Sequence, residues 1–77
     1  MTNLYSIHLL RHLRLTIRQN IHALRRDKKM PLGVLSELAS VPREKLDYYE
    51  IGRCEITLEH ILRIACALET DARSLMQ

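Results

Sequence analysis

No phenylalanine or tryptophan occurs in this sequence, so leucine and isoleucine must build whatever core it has. Glycine and proline are nearly as scarce, two of each in 77 residues. No stretch alternates apolar and polar side chains as a half-buried strand does. The class is therefore all-α. No apolar run approaches the roughly 18 residues of a membrane span, and the N-terminus lacks the polar cleavage region of a signal peptide. Cys54 and Cys66 have no metal-type spacing and no second pair. They read as free cytosolic thiols rather than a disulfide or metal site, and the expected localisation is cytoplasmic. His8 and His12 stand i, i+4 on a potential helix and could share a metal, but without a third ligand nearby they read as surface histidines. No nucleophile, base and orienting group form a set, and so small a helical domain leaves little room for a deep pocket. No enzyme, cofactor or metal is expected.

What is present is one small domain, 47% apolar, with an uneven charge. The net charge of +3 divides into +6 over residues 1–29, where Arg11, Arg14, Arg18, Arg25, Arg26, Lys28 and Lys29 face only Asp27, and −3 over the remainder. A basic segment of this kind is either a solvated helix face or a surface for a polyanion such as DNA.

Residues 31–52, PLGVLSELASVPREKLDYYEIG, organise the rest. Leu35, Leu38 and Ala39 give one short helix an apolar edge at 3.6-residue spacing; Leu46 and Tyr49 do the same for a second. Pro31 and Pro42 mark the two helix starts, since proline's missing N–H is no loss in a first turn. Gly52 stands where a left-handed cap would end the second helix. Two helices joined across Ala39-Ser40-Val41-Pro42 make a helix-turn-helix, whose second helix can enter the major groove of DNA.

Upstream, Thr16-Ile17-Arg18-Gln19 matches a capping box and sets the start of a first helix at residue 16, with Ile17, Ile21 and Leu24 on one face. Residues 1–15 are then an N-terminal extension and candidate dimerisation segment. Leu4, Ile7, Leu10 and Leu13 could line a helix there, with a strand paired between two subunits as the weaker option. Downstream, Thr57 caps a helix over 57–68 whose core face is Leu58, Ile61, Leu62, Ala65 and Leu68. Asp71 caps a last short helix that tucks Leu75 inward. The expected helices are 16–28, 31–38, 42–50, 57–68 and 71–76.

From Ile17 to Met76 the chain resembles, without a gap, the lambda-repressor-like, Cro-type helix-turn-helix family. The resemblance runs through Ile21 and Leu24-Arg25, Leu35, Val41, Leu46, Glu50-x-Gly52, Leu58, the run Ile61-Leu62-x-Ile64-Ala65-x-Ala67-Leu68, and Leu75. It implies a five-helix DNA-binding domain over residues 16–77 and a small sequence-specific transcriptional regulator. That regulator would be a homodimer on a pseudo-palindromic site in double-stranded DNA. By the same likeness Arg25 and Glu50 form a structural ion pair, and Arg43, Glu44 and Tyr48 face the bases. Arg can fork onto guanine O6 and N7, Glu can accept from cytosine N4, and a tyrosine ring can meet a thymine methyl or a phosphate. Lys28, Lys29, Lys45 and Arg53 would contact phosphates. Tyr49 falls at an inward position. The chain departs from the family at Pro31 and Leu32, where Ser or Thr and Gln are usual, and at Ser40 and Glu69, which stand for glycines. The apolar Leu32 and Val34, with the residue 3–15 extension, support an alternative: a helix-turn-helix diverted to a protein partner, as an anti-activator, antitoxin-like protein or assembly factor.

Overall fold

The first 28 residues contain neither glycine nor proline, and nothing in them stops a helix once begun. The computed structural model, which describes residues 4–77 and side chains from residue 7 onward, accordingly runs α1 unbroken from Leu4 to Asp27. The expected start at residue 16 is thus corrected. A capping box needs a non-helical residue at the cap, and Thr16 lies inside a continuous helix. The extension is helical rather than a strand, and no separate element divides it from the remainder. Residues 1–3, and the Leu4 side chain expected on its apolar line, lie outside what is described.

Four shorter helices follow: α2 (Leu32–Ala39), α3 (Arg43–Ile51), α4 (Leu58–Ala67) and α5 (Ala72–Leu75). Their ends follow local chemistry. Pro31 and Pro42 sit at the caps themselves, one position earlier than expected. The Thr57 hydroxyl accepts from His60 N–H, and the Asp71 carboxylate from Ser74 N–H at 2.7 Å. That backbone hydrogen bond keeps the Asp71 carboxyl below its ordinary pKa. Left-handed residues close four segments: Lys29, Ser40, Gly52 and Glu69.

The short helices pack against one end of α1. The core joins Ile17 and Ile21 of α1, Leu35 and Ala39 of α2, and Leu46 and Tyr49 of α3. Val41 fills it from the turn, and Ile61, Ile64, Ala65, Leu68 and Leu75 close it from below. Three expected core residues are not in it: Leu38, Leu58 and Leu62 are 59%, 64% and 53% exposed. In α4 the inward line is 61, 64, 65 and 68, and Leu58 and Leu62 flank it. Ile64, fully buried, takes the place assigned to them. Leu38 belongs to the outer side of a helix only eight residues long. Asn20 ties the last turn down, its side-chain amide donating to the carbonyls of Leu75 at 2.8 Å and Gln77 at 3.0 Å.

The molecule measures 40 × 22 × 19 Å. Its long axis reflects α1, whose 24 residues at about 1.5 Å each span some 36 Å. The outer half of α1 leaves Ile7, Leu9 and Leu10 exposed.

Candidate nucleic-acid interface

The corner between α2 and α3 is three residues long, and each has a defined task. Ser40 takes the left-handed conformation at φ 54°, ending α2. Val41 is buried beneath the corner, and Pro42 starts α3. The Ser36 hydroxyl donates to the Val41 carbonyl at 2.6 Å, and Arg63 of α4 donates to the Ser40 carbonyl at 3.0 Å. The corner is therefore held by side chains of α2 and α4. With Leu46 and Tyr49 turned inward, helical geometry sends Arg43, Glu44 and Tyr48 outward, and all three are exposed. Tyr48 Oη lies 3.4 Å from Glu44 Oε1, one turn away. Leu32, from the start of α2, meets Arg43, Glu44 and Asp47 along a shallow groove.

The far end of α3 is clamped to α1. Arg25 Nε and Nη2 donate to the two oxygens of Glu50 at 2.8 and 2.9 Å, a bidentate fork. Arg25 Nη1 also donates to the Met30 carbonyl at 3.0 Å, so the same guanidinium fixes the α1–α2 link. His22 Nδ1 stands 2.7 Å from Glu50 Oε1. Glu50 is 8% exposed, and such burial alone would raise its pKa. Hydrogen bonds from Arg25 and His22, together with their charge, outweigh it and hold the carboxyl below the usual range. The bond to Glu50 in turn raises the Arg25 pKa.

The four residues expected at phosphates are spread apart. Lys28 and Lys29 are exposed at the end of α1, where Lys28 Nζ is 3.9 Å from Glu69 beyond α4. Lys45 reaches back over the Tyr49 ring, 6.0 Å from its centroid. Arg53 lines a cavity under the middle of α1 rather than the groove beside Arg43. Because Glu50 is taken up by the clamp, the outward face of α3 carries Arg43 and Lys45 against Glu44 and Asp47, and is neutral. Of the two apolar residues at the start of α2, Val34 is 42% exposed, whereas Leu32 is half-buried and packs on the core.

Three residues with structural tasks escaped the sequence reading. His22 precedes Arg25 by three positions, a spacing that places both on one helix face, and this was the available signal. His60 Nδ1 lies 2.6 Å from the Tyr49 hydroxyl, with the rings edge-to-face at 5.7 Å. Burial raises the Tyr49 pKa. That contact and the Asn20 clamp join residues far apart in sequence, with no local pattern to betray them.

No family model and no curated protein matches the chain. Among solved structures, the crystal structure of the restriction-modification controller protein C.AhdI from Aeromonas hydrophila matches it with a TM-score of 0.76. The two are 27% identical, over 80% of this chain and 94% of that one. That likeness supports a lambda-repressor-like, Cro-type helix-turn-helix fold for this chain. In this fold α2 and α3 are the helix-turn-helix pair. No helix among the described residues is long and apolar enough to cross a membrane.

Proposed function

We propose that the chain is a small sequence-specific DNA-binding transcriptional regulator, a homodimer on a pseudo-palindromic operator, and no enzyme. The observation that carries this reading is the recognition helix itself. Arg43, Glu44 and Tyr48 stand outward on α3, while Leu46, Tyr49 and the Arg25–Glu50 fork hold it against the body. Likeness to a restriction-modification controller protein supports a controller role of that kind. Base contacts are assigned to Arg43, Glu44 and Tyr48, and phosphate contacts to Lys28, Lys29, Lys45 and Arg53.

One such domain makes few base contacts, so two copies on half-sites about 34 Å apart supply the specificity. The exposed Ile7, Leu9 and Leu10 of α1 are the proposed source of self-association. The matched length, nearly all of C.AhdI but four-fifths of this chain, leaves additional length here beyond the shared domain.

The second reading, capture of a protein partner through Leu32 and Val34, has the exposed Val34 in its favour. The packing of Leu32 on the core tells against it. Titration of labelled operator and scrambled duplex at several salt concentrations separates the two. A regulator binds operator far more tightly than scrambled duplex, and both affinities fall steeply with salt. Equal, weak affinity for both duplexes would refute the DNA reading.

A further inference from the structure

Beneath the middle of α1 lies a half-open cavity of about 330 Å³, closed on the other side by the α3–α4 loop. Its rim carries Arg11, Arg14, Arg18 and Arg53 against one carboxylate, Glu55. This local surplus of three positive charges equals the net charge of the entire chain. Arg11, Arg14 and Arg18 stand at i, i+3 and i+7 on one helix face, so they repel one another unless an anion lies between them. Glu55 meets only Arg14, at 2.9 Å. Among the described residues Arg11, Arg18 and Arg53 have no carboxylate partner. Arg18 is also positioned from below: its guanidinium occupies the space where a Cβ at residue 52 would stand, so Gly52 permits the approach.

The floor is different in kind. Leu15 and Ile56 offer apolar surface beside the arginine rim, backed by the buried Ile17, Ile21 and Tyr49. The volume falls at the small end of the range for small-molecule sites, which combine an apolar lining with a few converging polar groups. A phosphodiester backbone could meet the rim, but it has nothing to set against Leu15 and Ile56. We propose that this cavity binds a small amphipathic organic anion, its phosphate or carboxylate held by Arg11, Arg18 and Arg53 and its apolar part resting on Leu15 and Ile56. Such a ligand would border Tyr49 and Gly52, at the end of α3, and thus touch the recognition helix. The site stands on its own geometry, whether or not the chain reads DNA.

The test is a nuclear magnetic resonance titration of the full chain with phenyl phosphate, inorganic phosphate and phenol at constant ionic strength. Phenyl phosphate should give saturable shifts in the amides of residues 11–21 and 52–56, with the other two at least about tenfold weaker. Arg11→Gln, on the exposed rim, and Arg18→Gln should each weaken phenyl phosphate about tenfold, the cost of one charge-assisted hydrogen bond. Glu55→Gln should act oppositely, tightening the probe a few-fold by releasing Arg14. The proposal is overturned if phenyl phosphate gives no saturable shift, or shifts the amides around Lys28 and Lys29 equally. It also fails if inorganic phosphate binds as well, or if Glu55→Gln leaves affinity unchanged or lower. Displacement of phenyl phosphate by scrambled duplex would make the rim a DNA-backbone contact and likewise overturn it.

Discussion

Glu50 receives both prongs of the Arg25 guanidinium and, on one of the same oxygens, the ring nitrogen of His22. A carboxyl held below its ordinary pKa stabilises the fold above the unfolded value, about 4.3 for glutamate. That contribution is lost as pH falls through the lower folded value. Urea midpoints measured from neutral pH into the acid range should therefore decline below about pH 4.3, and Glu50→Gln should flatten that decline. Arg25→Ala leaves a nearly buried carboxylate without its main partner and should cost about 3 kcal/mol. His22→Ala should cost less, because the imidazole is half-exposed.

Leu46 lies at the centre of the core and Leu38 on the outer side of α2. Leu46→Ala should cost about 2–5 kcal/mol, whereas Leu38→Ala should stay within about 0.5 kcal/mol of the parent. Denaturant unfolding of the two variants side by side checks both; similar losses would mean that α2 is turned on its axis.

Ser40 and Gly52 both occupy the left-handed region, one with a Cβ and one without. Ser40→Gly should be neutral to stabilising, by up to about 1 kcal/mol, because it relieves that conformation. Gly52→Ala should destabilise by more than about 1 kcal/mol, since the new methyl is both strained and in collision with Arg18. Thermal melts give the sign of each.

Arg43 and the two lysines at the end of α1 should affect DNA binding differently. Arg43→Ala should lose about 1–3 kcal/mol and relax preference at one position of the operator. Lys29→Ala should weaken all sequences alike and lower the salt slope by about one. Lys28→Ala should lower it less, because Glu69 already stands beside that ammonium. If Arg43→Ala leaves the ratio of operator to scrambled affinity untouched, α3 does not read bases.

Self-association through α1 is tested by Leu9→Glu with Leu10→Glu, both at exposed positions. Sedimentation should show a weaker dimer. An unchanged dimer would move the interface to the exposed Leu58 and Leu62 of α4.

Where the sequence was legible, the reason was local. Pro31, Pro42, Thr57, Asp71 and Gly52 punctuate helices by their own backbone chemistry, and each stands at a helix end. Thr16 misled because a capping box is a pattern of side chains, and a helix already under way overrides it. Leu58 and Leu62 misled for another reason. In a helix with apolar residues at 58, 61, 62, 64, 65 and 68, the stripe is wider than the face the core can cover, and packing alone chooses Ile64 over its flanks. The arginine rim was invisible for the same kind of reason. Arg53 joins Arg11 and Arg18 only once the α3–α4 loop has folded back along a helix that was expected to begin later.

That unbroken α1 has no joint. Its exposed outer end and Arg25, which grips α3, belong to one rod, so a subunit held at Ile7 or Leu10 sets the rotational phase of its recognition helix. One residue inserted near position 15 would turn the outer end by about 100° and advance it about 1.5 Å, while four would bring it almost back into phase. Were two domains paired through that outer end, the angle between them would be written in the number of residues in α1, as the pitch of a screw is written in its thread.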